Sequence, residues 1–63
     1  MPFAQIFLIE GRSEDQMRAV IEKVTDALVD ALGAPRDRVR VWIQEVPATH
    51  WGIGGTPAKD LGR

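Results

Sequence analysis

The stretch 13-SEDQMRAVIEKVTDALVDALG-33 decides how this chain folds. Ser13 followed by Gln16 three residues on is a capping-box signature, so a helix is expected to start there. Glu14 and Asp15 fall in the first turn, where negative charge complements the positive end of the helix dipole. Met17, Val20, Ile21, Val24, Ala27, Leu28, Ala31 and Leu32 recur at three- and four-residue spacing and make one apolar stripe, with Arg18, Glu22, Lys23 and Asp26 mostly off it. Gly33 is placed as a C-terminal cap and Pro35 keeps the helix from resuming. The spacing therefore predicts a helix of roughly 19 residues, spanning about 28 Å.

On the N-terminal side, Phe3 to Ile9 is apolar except for Gln5, and Phe3, Ile6, Phe7 and Ile9 are aromatic or β-branched. This reads as a strand buried on both faces, ended by the turn at Glu10-Gly11-Arg12. On the C-terminal side, Val39 to Val46 reads as a second strand, with Val39, Val41 and Ile43 facing one way and Arg40, Trp42 and Gln44 the other, until Pro47 stops it. Strand, helix and strand make a β-α-β unit of the α+β class, its two strands parallel with a right-handed crossover. The tail from Ala48 to Arg63, with Gly52, Gly54, Gly55 and Pro57, reads as turns or a short hairpin.

A chain of 63 residues is one domain, taken as residues 1–63, and it buries only about 60% of the surface its unfolded form exposes. Reinforcement at this size comes from disulfides, a metal or association. With no Cys and one His, association is the route left, and 44% hydrophobic residues in so short a chain point to a homo-oligomer. Two parallel strands need further strands and cover on both faces, which leads to the same expectation. Eight basic against nine acidic residues give a net charge of -1, which provides no overall field for nucleic acid or an anionic membrane. No apolar run approaches a membrane span and no signal-peptide pattern opens the sequence, so the chain is expected to be cytoplasmic.

The residue inventory is short of the usual catalytic groups. There is no Cys, His50 reads as an exposed loop residue, and Ser13 serves the helix cap. Most carboxylates lie on the solvent side of the helix, which argues against a paired-carboxylate mechanism. Pro2 stands out: once Met1 is removed, its secondary amine becomes the N-terminus and can act as a general base, a role favoured by nearby cations and an apolar pocket. Taken alone, Pro2 reads first as the start of an edge strand. Arg12 follows the first strand, and Arg40 sits in an apolar second strand, where a buried Arg needs a partner. That partner is either Glu45 or Asp37 in a salt bridge, or a substrate carboxylate held by a bidentate clamp. Arg36 and Arg38 read as solvated. Trp42 reads as a core or interface residue, whereas Trp51, followed by Gly52-Ile53-Gly54-Gly55, can form the aromatic wall of a pocket.

Pro2, Ala4-Gln5-Ile6, Glu10-Gly11-Arg12-Ser13, Ala34-Pro35, Val39-Arg40-Val41 and His50-Trp51-Gly52-Ile53-Gly54-Gly55 together closely resemble the 4-oxalocrotonate tautomerase family of the tautomerase superfamily. The match runs nearly end to end without an evident insertion. It implies a β-α-β subunit assembled as a hexamer, a trimer of dimers, acting without metal or organic cofactor on a small dienol or keto acid, typically a dicarboxylate. The implied reaction is a keto–enol isomerisation, 2-hydroxymuconate to 2-oxo-3-hexenedioate, in the breakdown of aromatic compounds. In that family the amino-terminal proline is the general base, which Pro2 matches. The family's arginines fall on Arg12, implied to hold the distal carboxylate, and Arg40, implied to bind the 2-oxo and adjacent carboxylate region. Both are expected from neighbouring subunits. Trp51 takes the place of the family's aromatic, where Phe is common, and Ile9, Ile53 and Arg38 complete the implied substrate contacts. Arg38 replaces a small polar residue, and Phe7 stands where the best-known members carry His. Two other readings accompany this one: a hydratase, dehalogenase or decarboxylase of the same superfamily acting on a 3-haloacrylate or 3-oxo acid, with Glu10 as its extra acid, and a non-catalytic scaffold if Met1 is retained.

Overall fold

A computed structural model describes residues 2–63; Met1, and with it the expectation about its removal, lies outside the described residues. Strand β1 (Phe3–Ile9) is followed by helix α1 (Glu14–Leu32), strand β2 (Arg40–Val46) and a two-stranded hairpin of β3 (Gly52–Ile53) and β4 (Thr56–Pro57), with short 3-10 turns at Arg36–Arg38, Ala48–His50 and Ala58–Leu61.

Helix α1 begins and ends where its signals stand. Ser13 Oγ accepts from the backbone N–H of Gln16, and the Gln16 side chain accepts from the backbone N–H of Ser13, so two otherwise orphaned donors are satisfied reciprocally. Gly33 closes the helix in the left-handed region (φ 65°), its N–H donating to Val29 O at 2.9 Å. The apolar stripe is wider than its own chain covers. Met17, Val20, Val24 and Leu28 are half-buried, while Ile21, Ala27, Ala31 and Leu32 remain exposed.

β1 and β2 pair in parallel, from Phe3 opposite Arg40 to Ile9 opposite Val46. This is the arrangement a helical crossover between them allows. β2 starts at Arg40, one residue later than its sequence pattern suggests, and its alternation is as expected. The expected burial of β1 on both faces is not met within one chain. Ala4, Ile6 and Leu8 are half-buried on one face, whereas Phe3 and Phe7 on the other are 61% and 52% exposed, alongside Trp42 of β2 at 54%. One helix can cover only one face of a sheet, and α1 lies mainly against β2.

The hairpin turns at Gly54 and Gly55 with φ of 58° and 88°. Both signs are positive, as a type I′ turn requires, which is why two glycines stand there. The closing segment packs on itself, with Ala58 fully buried and its N–H donating to Trp51 O at 2.7 Å. Val39 and Ala58 are the buried apolar residues among those described. The accessible surface of 4756 Å² exceeds the roughly 4,000 Å² expected for a compact chain of this mass. The radius of gyration, 14.5 Å, likewise exceeds the expected value of about 11 Å. The fold thus leaves apolar surface for which this chain has no cover of its own. No helix among the described residues is long and apolar enough to cross a membrane.

Candidate active site

Residues singled out in the sequence fall into two groups at opposite ends of the β1–β2 sheet. The first end holds Pro2, Arg38 and Arg40. Pro2, half-buried, immediately precedes β1, and its carbonyl accepts the backbone N–H of Arg40 at 3.0 Å. Val39 is buried and extended, so Arg38 and Arg40 on either side of it project to the opposite side of the chain.

Arg40 differs from its reading as a buried arginine awaiting a counter-ion. It is exposed, and neither Glu45 nor the Asp37 carboxylate pairs with it. Its Nη1 donates to main-chain carbonyls, Asp37 O at 2.8 Å and Val39 O at 3.3 Å. The physical reason is position: Arg40 is the first residue of β2, at the sheet margin, where its side chain can fold back onto the preceding turn. Arg36, expected to be solvated, instead pairs with Asp26 of α1 at 2.6 Å. Arg38 remains exposed, in keeping with its solvated reading.

The second end holds Ile9, Arg12, Trp51 and Ile53. Arg12 is exposed, with Nη1 donating to Ile9 O at 3.1 Å. Glu10 N–H donates to Val46 O at 2.9 Å, so the chain leaves β2 beside the same end. The segment carrying Trp51, half-buried, and Ile53, 36% exposed, extends from there with little contact to the sheet or α1. Arg12 also borders a groove of about 450 Å³ along α1, with Gln16, Ala19, Val20, Lys23 and Val24. Lys23 was not among the residues expected near a site. Its only signal is helical spacing, since it lies one turn beyond Ala19 and two beyond Gln16 on the face that Arg12 borders.

A seven-residue strand at about 3.3 Å per residue puts Pro2 and Arg12 of one chain roughly 20 Å apart. One chain therefore does not bring its proposed base, both arginines and aromatic wall together. Each end has what the other lacks: Pro2 and two guanidiniums at one, the apolar residues Ile9, Trp51 and Ile53 and a single guanidinium at the other. Among the described residues, no three His, Cys, Asp or Glu side chains are grouped to hold a metal ion.

The family described as tautomerase enzyme matches residues 2–61. A 2-hydroxymuconate tautomerase of Pseudomonas putida is 68% identical over 63 residues, covering 100% of both chains. Among solved structures, one from a study of the 4-oxalocrotonate tautomerase isozymes of Methylibium petroleiphilum superposes with a TM-score of 0.95 at 68% identity, covering 98% of this chain and 100% of that one. Another, from a heterohexamer 4-oxalocrotonate tautomerase of Chloroflexus aurantiacus J-10-fl, superposes at 0.93 with 38% identity, covering 97% of this chain and 98% of that one.

Proposed function

The chain belongs to the tautomerase enzyme family, and on that premise we propose that it converts 2-hydroxymuconate to 2-oxo-3-hexenedioate, with Pro2 as the proton carrier. It is a keto–enol tautomerase, an isomerase. In the forward direction the 2-hydroxyl proton leaves as the C2 carbonyl forms, the C2–C3 double bond shifts to C3–C4, and the C4–C5 π pair takes up a proton at C5. The Pro2 amine, freed by loss of Met1, accepts a proton and delivers it to C5, so it must cycle between neutral and protonated forms.

Negative charge builds on the C2 oxygen along this path. A guanidinium aimed at that oxygen stabilises the dienolate more than the ground state, which is the role assigned to Arg40. Arg12 holds the distal carboxylate through charge-assisted hydrogen bonds. Arg38, which must accompany Arg40 wherever it goes, lies beside the C1 carboxylate. Ile9, Trp51 and Ile53 form the apolar wall that excludes water from the amine.

The observation that supports this reading is that Pro2 and Arg40 stand at one end of the sheet while Arg12 and Trp51 follow its other end. A second copy supplies the missing half if β1 pairs with β1 of its partner in antiparallel fashion, which sets Pro2 of one copy against the Ile9–Arg12 end of the other. The free edge of β1 suits such pairing: Phe3 to Ile9 contains no charged residue and no proline, the devices that otherwise guard an exposed edge. Further copies then cover Phe3, Phe7 and Trp42, giving a hexamer, the size of the heterohexameric relative, built here as a trimer of dimers. Arg40, whose guanidinium is folded onto its own turn, serves the Pro2 of a neighbouring copy in this arrangement.

The test is the absorbance change on mixing 2-hydroxymuconate with protein whose start at Pro2 has been verified by intact mass. Turnover by wild type and its loss in Pro2→Ala are expected. Unaltered turnover in Pro2→Ala would remove the proposed base.

A further inference from the structure

Arg40 is not left to find its own direction. Its Nη1 is held by the carbonyls of Asp37 and Val39, which leaves the remaining edge of the guanidinium free to point outward. Both carbonyls belong to the turn after α1. That turn is closed by Arg38 N–H to Pro35 O at 2.9 Å and Val39 N–H to Arg36 O at 3.2 Å. It is anchored below by the buried Val39 side chain. One side-chain contact fastens it to the helix: Arg36 Nη1 to Asp26 Oδ1, at 2.6 Å and ten residues apart in sequence.

We infer that Asp26 and Arg36 are positioning residues for Arg40, fixing the turn whose carbonyls aim its guanidinium. The inference rests on the reading of Arg40 as the group that meets the C2 oxygen. The Asp26–Arg36 side chains are 50% and 56% exposed, and an ion pair so accessible to water contributes little to folding. Its position gives it another consequence. A guanidinium on a loosened turn samples more rotamers, and the freedom lost in the transition state then comes out of the rate rather than out of stability. Misplacing a charge-stabilising group by about 1 Å is enough to cost up to 10²-fold in turnover.

The test is a set of steady-state measurements on 2-hydroxymuconate with Asp26→Asn, Arg36→Ala, the charge-swapped pair Asp26→Arg with Arg36→Asp, and Asp26→Asn combined with Arg40→Ala. Each single variant is expected to lose about tenfold in kcat with its melting temperature within about 2 °C of wild type. The swapped pair is expected to regain most of that loss. In the Arg40→Ala background, Asp26→Asn is expected to cost nothing further, because residues acting through one group are not additive. Wild-type kcat in both single variants would overturn the inference. So would an equal loss from Asp26→Asn with and without Arg40, which is what a general loss of structure would give. Full activity of Arg40→Ala itself would overturn the functional reading of Arg40, a result distinct from either of these.

Discussion

Arg40 and Arg12 stand at opposite ends of one sheet and are held alike, each with Nη1 donating to the carbonyl three residues before it. The surroundings differ. Arg40 is carried by a closed turn pinned to α1 and sits in register with the Pro2 carbonyl. Arg12 stands on the short link between β1 and the capped start of α1, beside an open groove. On the proposed reading, one end holds a guanidinium at fixed aim for the C2 oxygen in a neighbouring copy's site, and the other receives the far part of a ligand. A binding group can tolerate looseness that a group stabilising transition-state charge cannot, and the difference in support follows that difference in duty.

Substitutions at the two ends should therefore separate in kind as well as in size. Replacing Pro2 by Ala should cost the most, about 10²- to 10⁴-fold in kcat, the range of general acid–base contributions. Stopped-flow absorbance on 2-hydroxymuconate measures it. Arg40→Ala should cost about 10²- to 10³-fold, chiefly in kcat, because its interaction strengthens only as charge develops. Arg12→Ala should cost about 10- to 100-fold, chiefly in KM for the diacid. With 2-hydroxy-2,4-pentadienoate, which lacks the distal carboxylate, Arg12→Ala should differ little from wild type while Arg40→Ala stays impaired. If Arg12→Ala instead lowered kcat equally on both substrates, the two ends would not have distinct duties. The smallest effect is expected from Ser13→Ala, about 1 kcal/mol of stability from loss of the cap, read in a denaturant titration. Since Arg12 precedes the cap directly, any accompanying change should appear in KM rather than kcat.

Much of the fold is legible in the sequence because its signals are local. Ser13, Gln16 and Gly33 mark both ends of α1, and the Gly54-Gly55 pair marks the hairpin, since each acts through its own backbone conformation. Pairing of β1 with β2 follows from the helix between them. The candidate residues Pro2, Arg12, Arg40 and Trp51 are visible as unusual residues for their positions, and their resemblance to the family is what links them. Their separation into two ends is not visible, because it depends on strand register and length together. The Asp26–Arg36 contact is equally hidden: both residues look like solvated charges, and only the folding of the turn at Arg36–Arg38 against α1 makes them partners. The exposed Phe3, Phe7 and Trp42 face shows why β1 reads as buried on both sides. The pattern of a strand records the environment of the assembled particle, not that of one chain.

Mixing two impaired variants, assayed at 2-hydroxymuconate concentrations well below the wild-type KM, tests most directly whether the site is shared between copies. Pro2→Ala and Arg12→Ala are unfolded together in equal amounts, refolded, and compared with each variant refolded alone. In a mixed pair, one site receives both altered residues and the other receives Pro2 from one chain and Arg12 from its partner. Random pairing then gives wild-type composition at about a quarter of all sites, so about a quarter of wild-type turnover should return. Turnover no higher than the average of the two parents would contradict a site assembled from opposite ends of neighbouring sheets.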